Sequence, residues 1–120
     1  MAEHNELGKS GEQIAVDHLK NKQYTILETN WRSGKYEVDI IAESKDQIIV
    51  AEVKTRTSNY LMEPEAAVTR DKQRMLIKAA NIYVQRYNID KEVRFDIISI
   101  VMSKDQFRLR HFEDAFYPTM

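Results

Sequence analysis

The segment Ile97-Ile98-Ser99-Ile100-Val101 constrains this chain more than any other. It is apolar on both parities, which suits a strand covered on both faces. A strand of that kind needs a sheet with helices packed on it, so the chain belongs among the α/β folds. A second run, Ile48-Ile49-Val50-Ala51, has the same buried character and leads directly into the charged segment Glu52-Val53-Lys54.

The remaining elements fall into place around these two strands. Gly11 to Asn21 reads as a helix, with Ile14, Ala15, His18 and Leu19 on one stripe. Tyr24–Trp31, Tyr36–Glu43 and Gln47–Arg56 read as strands, separated by turn signals at Ser33-Gly34-Lys35 and Ser44-Lys45-Asp46. Asn59 to Pro64 reads as a loop. Thr69 is a good N-cap for a helix reaching about Tyr87, with Asp71 in its first turn and apolar residues at helical spacing from Met75 onward. Val93–Met102 is a fourth strand, and the alternation in Phe107–Phe112 fits a half-exposed strand at a sheet edge. The expected fold is a single domain over residues 1–120: a mixed five-stranded sheet flanked by helices, with residues 1–7 as a mobile tail.

Composition narrows the function. The chain has no cysteine, which excludes disulfides and thiolate metal sites and suits a reducing cytoplasm. Neither a signal peptide nor a membrane span is expected. The formal net charge is −1, so any surface for a polyanion must be local. His4, His18 and His111 are not spaced as a metal set, and His18 is expected as a packed core residue. Neither a phosphate-binding glycine loop nor a serine-nucleophile motif is present.

The chemistry lies in the hairpin. A turn centred on Lys45-Asp46 sets Asp39 opposite Glu52 and Glu37 opposite Lys54, all on one face of the sheet. Opposed side chains stand roughly 4.5–5.5 Å apart at Cβ. Two carboxylates at that distance repel each other, and a divalent cation resolves the conflict. Mg²⁺ or Mn²⁺ would prefer these oxygen ligands and leave positions for water and a phosphate. Lys54 could then orient the water or stabilise developing charge. The alternative is a structural ion-pair cluster with Lys54 or Arg56, and the residues alone favour the functional site only modestly.

These residues resemble a known family. Gly11-Glu12 with Ala15, Asn30-Trp31-Arg32, Glu37-Val38-Asp39, Glu52-Val53-Lys54-Thr55-Arg56, Glu65-Ala66-Ala67-Val68, Lys72-Gln73 and Arg94-Phe95-Asp96 are similar to the motifs of the small bacterial YraN-like family. That family is placed in the PD-(D/E)xK nuclease superfamily, as kin of archaeal Holliday junction resolvases. The match runs over roughly residues 8 to 117. The resemblance implies a restriction-endonuclease-like core, Asp39 and Glu52 as metal ligands, and Lys54 as catalytic lysine. It further implies Glu12 as an acidic group reaching the site from the first helix, with Gln73 nearby. The implied activity is an endonuclease on structured or branched DNA, and a homodimer is compatible with it. Two departures stand out: Val38 replaces the signature proline, and Tyr60-Leu61-Met62-Glu63 replaces an aromatic-glycine loop.

Positive charge is concentrated where such a substrate would lie. Lys54, Arg56, Arg70, Lys72, Arg74 and Lys78 bring six cations into residues 54–78, offset by Glu63, Glu65 and Asp71. Arg32 and Lys35 flank the turn before the second strand. Arg32, Lys35, Arg56, Lys72 and Gln73 are the expected nucleic-acid contacts, with salt-dependent affinity. Arg74 and Lys78 are expected to be an ordinary solvated helix face. Trp31 is expected in the core.

Overall fold

The structure, a computed structural model, describes residues 2–57 and 68–118, with side chains from Ser10 onward. Its elements are α1 (Ala2–Asn21), β1 (Thr25–Ser33), β2 (Tyr36–Glu43), β3 (Gln47–Thr57), α2 (Arg70–Arg86), β4 (Glu92–Ser103) and β5 (Gln106–Phe116). The expected order of elements is the observed one. The expected loop at Asn59–Pro64 lies outside the described residues.

The five strands form one mixed sheet in sequence order. Every neighbouring pair is antiparallel except β3 and β4, which run parallel because α2 carries the chain back between them. Both faces of the central strands are buried, as the double-parity runs required. Ile49, Ala51, Ile98 and Ile100 pack beneath Ala15, Val16 and Leu19 of α1. Ile48, Val50 and Ile97 pack beneath Leu76, Ala79, Ala80 and Tyr83 of α2. Trp31 joins this second cluster, edge-on to Tyr83 with ring centroids 5.3 Å apart. It is core, as expected.

Local chemistry accounts for the boundaries. The Thr69 hydroxyl accepts the Lys72 N–H at 3.2 Å, capping α2 as its sequence proposed. Gly34 takes a φ of 58°, which the tight turn joining β1 to β2 demands. β5 runs to Phe116, beyond the expected end at Phe112. A bulge interrupts its alternation: the register shifts between Phe95 and Ile97, and Asp114 sits at φ 53°. α1 also begins earlier than its apolar stripe, and the backbone of residues 2–7, expected as a tail, is helical. Among the described residues no helix is long and apolar enough to cross a membrane.

Candidate active site

The site is built where two strands part. The β2–β3 ladder keeps the expected register from Glu43–Ile48 through Ile41–Val50 and stops at Ile40–Ala51. The main-chain pairs Asp39–Glu52 and Glu37–Lys54 are therefore not made, a correction to the hairpin drawn from sequence. In their place the Asp39 carboxylate accepts the Val53 N–H at 2.8 Å. A side chain thus satisfies a backbone donor at the end of the ladder, so the strands separate without an orphaned amide. The alternation of β2 breaks at the same point. Val38 packs in the α2-side cluster although it shares parity with Ile40, which packs on the α1 side. Facing them in β1, Asn30 takes a left-handed φ of 50°.

Glu52 follows the last paired residue and is buried, with 5% of its surface exposed. One of its oxygens is approached by two cations, Lys54 Nζ at 3.5 Å and Lys72 Nζ at 3.8 Å. Its other oxygen, Oε1, is buried without a hydrogen-bond partner among the described residues. Burial, and next the Asp39 charge, push the Glu52 carboxyl up to about 7, against the opposing pull of Lys72 and Lys54. The two carboxyls are close enough to share a hydrogen bond when one carries a proton. When both are ionised, two anions lie side by side, and Oε1 has no donor among the described residues.

Glu12 comes to this cluster from α1, across the sheet. Its carboxyl accepts the Asn30 amide at 3.3 Å. Partial burial pushes its ionisation up, the Asn30 bond opposes this, and the charges of Asp39 and Glu37 raise it further. Gly11 makes that approach possible. A Cβ there would lie 2.0 Å from the Thr55 hydroxyl oxygen, so only glycine lets α1 seat this tightly on β3.

Asp39, Glu52, Lys54 and Lys72 thus form one cluster, and Glu12 is near enough to feel the Asp39 charge. The other candidates are less committed to the cluster. Arg32 pairs with Glu37 at 3.4 Å, Lys35 lies over the Tyr36 ring at 5.6 Å, and both are exposed near the β1–β2 turn. Arg56 is half-buried on the same face of β3 as Glu52 and Lys54. Gln73 lies at the start of α2 as expected, but its amide donates to the Val68 carbonyl at 3.1 Å. Among the described residues no three His, Asp or Glu side chains converge into a complete metal cage. The carboxylate pair still fits a hard divalent cation. It offers one donor-less buried oxygen and a second carboxylate beside it, the two-ligand arrangement that Mg²⁺ accepts when water completes its shell.

The model of Uncharacterised protein family UPF0102 matches residues 11–100, a span that holds Glu12, Asp39, Glu52, Lys54 and Lys72. The chain belongs to that family. UPF0102 proteins similar to it include one from Flavobacterium psychrophilum, 48% identical over 98% of both chains. Others come from Bacteroides fragilis, 45% identical over 100% of this chain and 99% of the relative, and from Christiangramia forsetii, 49% identical over 98% of both. The YraN-like resemblance of the motifs is thereby accounted for by UPF0102 membership across nearly the whole length. The α/β fold with its mixed five-stranded sheet is compatible with a restriction-endonuclease-like core.

One feature of this UPF0102 chain escaped the sequence reading. His18 and His111, which looked unrelated, meet at 3.0 Å, and His111 Nε2 lies 2.6 Å from Asp96 Oδ2. The only signal was Arg94 and Asp96 on alternate residues of an otherwise apolar strand. A buried carboxylate there requires partners, and the sequence does not say from where.

Proposed function

We propose that the chain is a Mg²⁺- or Mn²⁺-dependent endonuclease of the PD-(D/E)xK superfamily, acting in the cytoplasm on phosphodiester bonds of structured or branched DNA. The observation that carries this reading is the buried Glu52 carboxylate beside Asp39: two lysines approach its Oε2, and its Oε1 has no donor among the described residues. A cation bound by Asp39 and Glu52 would polarise the phosphate and make an attacking water more acidic. The chain's own groups do the rest. Val53 N–H fixes Asp39, leaving its second oxygen for the cation. Lys54 is 28% exposed, so its ammonium can reach both the carboxylates and solvent, where it orients the water or stabilises charge on the phosphate oxygens. Lys72 binds the phosphate from the start of α2. Glu12, whose ionisation is pushed up, is placed to hold a proton near Asp39. Arg32, Lys35, Arg56 and Gln73 extend the surface for the DNA backbone. Cleaving both strands of a branch needs two such sites, so a homodimer is the assembly this reading implies.

A second reading has an observation of its own. Lys54 and Lys72 already flank Glu52, so the site is partly charge-balanced without metal. A module that binds nucleic acid or a protein partner without turnover would also use it. The deciding experiment is a metal-titrated cleavage assay on branched and linear DNA, with Asp39→Asn, Glu52→Gln and Lys54→Ala as controls. The nuclease reading expects metal-dependent cleavage that all three substitutions abolish. Cleavage surviving in all three refutes it. Salt-sensitive binding without cleavage under any metal selects the second reading.

A further inference from the structure

α2 leaves part of the sheet uncovered on its own side. Between its exposed face and the end of β5 lies a cavity of about 350 Å³. Arg70, Arg74 and Lys78 line one wall, and Phe116 and Tyr117 line the other. Among the described residues no acidic side chain lines it. The nearest carboxylate on α2 is Asp71, paired to Arg74 at 2.7 Å, but that pair is 90% and 64% exposed. Such a surface pair contributes little and yields readily to a phosphate. Tyr117 is 67% exposed, an aromatic ring left in solvent beside three cations.

The position of the cavity matters as much as its lining. Phe116 pairs with Phe95, and Phe95 is level with Val50, two residues before Glu52 on β3. Two strand spacings across and two residues along put the cavity about 12 Å from the carboxylate site. Lys72 lies on α2 between the two, reaching Glu52 at 3.8 Å. Arg70, Arg74 and Lys78 recur every four residues on one face of α2, and Lys72, at the same end of the helix, reaches the carboxylate site.

We propose that this cavity binds a single-stranded segment of DNA, with Arg70, Arg74 and Lys78 on its phosphates and one base stacked on Tyr117. A row of cations beside an exposed ring is what an unpaired strand recognises, because the charges follow the backbone and the ring accepts any base. A duplex would present phosphates but no free base face. This rests on the nuclease reading and deepens it: the preferred substrate carries an unpaired arm that leaves the scissile region along α2. It also changes the expectation for Arg74 and Lys78, from an idle solvated face to strand contacts.

The test is fluorescence anisotropy with labelled dT15 and a blunt duplex of the same length, in EDTA so that metal chemistry plays no part. Wild-type protein should bind dT15. Tyr117→Ala should weaken dT15 roughly ten-fold, leave the duplex unchanged, and be rescued by Tyr117→Phe. The pair Arg74→Gln with Lys78→Gln should lower the salt slope for dT15 by about 1.4. All these side chains are exposed, and a thermal melt of each variant checks that the fold persists. Absence of dT15 binding, or binding with the same affinity and slope in every variant, overturns the inference. If these sensitivities hold while no metal produces cleavage, the strand site stands and the nuclease reading fails. If cleavage occurs with variant-indifferent binding, the reverse holds.

Discussion

Glu52→Gln should make the metal-free protein more stable at alkaline pH, because the native carboxylate is held where its charge is disfavoured. The amide keeps nearly the same shape and removes the ionisation. Burial first, and the Asp39 charge second, raise the Glu52 carboxyl from 4.5 to about 7. Between those values the folded chain retains a proton that the unfolded chain has released. The folded state binds more protons, so stability falls as pH rises through that window and levels off above it. At roughly 1.36 kcal/mol per pH unit, the upper limit is about 3 kcal/mol. Relaxation and water penetration reduce this to about 2 kcal/mol. An unfolding entropy of roughly 2.1 cal/mol/K per residue turns that into about 8 °C.

The assay is thermal unfolding of both proteins in EDTA at pH 5 and pH 8. The two should melt within about 2 °C of each other at pH 5, near the foot of that window, and the variant should melt about 8 °C higher at pH 8. Comparing the two proteins at each pH cancels the other titrating groups. His18 is one of these: burial, then His111, lower its pKa from 6.5, so its contribution is lost as pH falls rather than as it rises. Adding Mg²⁺ or Mn²⁺ at pH 8 should stabilise the wild type and not the variant. Equal pH dependence in the two proteins would refute the argument that Glu52 is strained by its surroundings.

Two further outcomes follow from packing and from the buried network. Gly11→Ala drives a Cβ to within 2.0 Å of the Thr55 oxygen, so α1 must shift; the expected cost is about 1–3 kcal/mol by chemical denaturation, with metal-dependent activity falling more than stability because Glu12 moves with the helix. Asp96→Asn removes the charge that pairs Arg94 and His111 beneath the surface, and should cost about 3–5 kcal/mol in a urea melt; a loss below about 1 kcal/mol would mean the network is not structural.

The fold was legible because burial on both faces leaves a plain mark. Ile97 to Val101 and Ile48 to Ala51 have no polar parity to expose, and the structure buries them between α1 and α2. The hairpin register was legible because the Ser44–Asp46 turn and the apolar pairs Ile41–Val50 and Ile40–Ala51 specify it together. What failed to show was every departure from regular pairing. The parting of β2 and β3 at Asp39 depends on a side-chain hydrogen bond to Val53, and the β5 bulge depends on Asp96 drawing in the Asp114 N–H at 3.0 Å. Each is the tertiary consequence of its own carboxylate, Asp39 or Asp96, which periodicity cannot register. The meeting of His18 with His111 likewise required knowing that α1 lies over β4 and β5.

Asp96 and Glu52 sit on adjacent central strands, both buried, and their surroundings treat them oppositely. Burial alone would push Asp96 up, but His111, two bonds from Arg94 and the Asp114 N–H bring its pKa below the ordinary value. Every partner of Asp96 is part of the folded chain, so its charge is settled on folding and stabilises one end of the sheet. Glu52 has two lysines on one oxygen, nothing on the other, and a second carboxylate beside it. An isolated structural role would select for the first arrangement in both places, since an unpaired buried acceptor costs about 1–3 kcal/mol. The difference fits the cation proposed at Glu52, a partner that the described residues do not supply. It also explains why the site lies where β2 and β3 have parted, since a continued ladder would close the space in which that partner must sit.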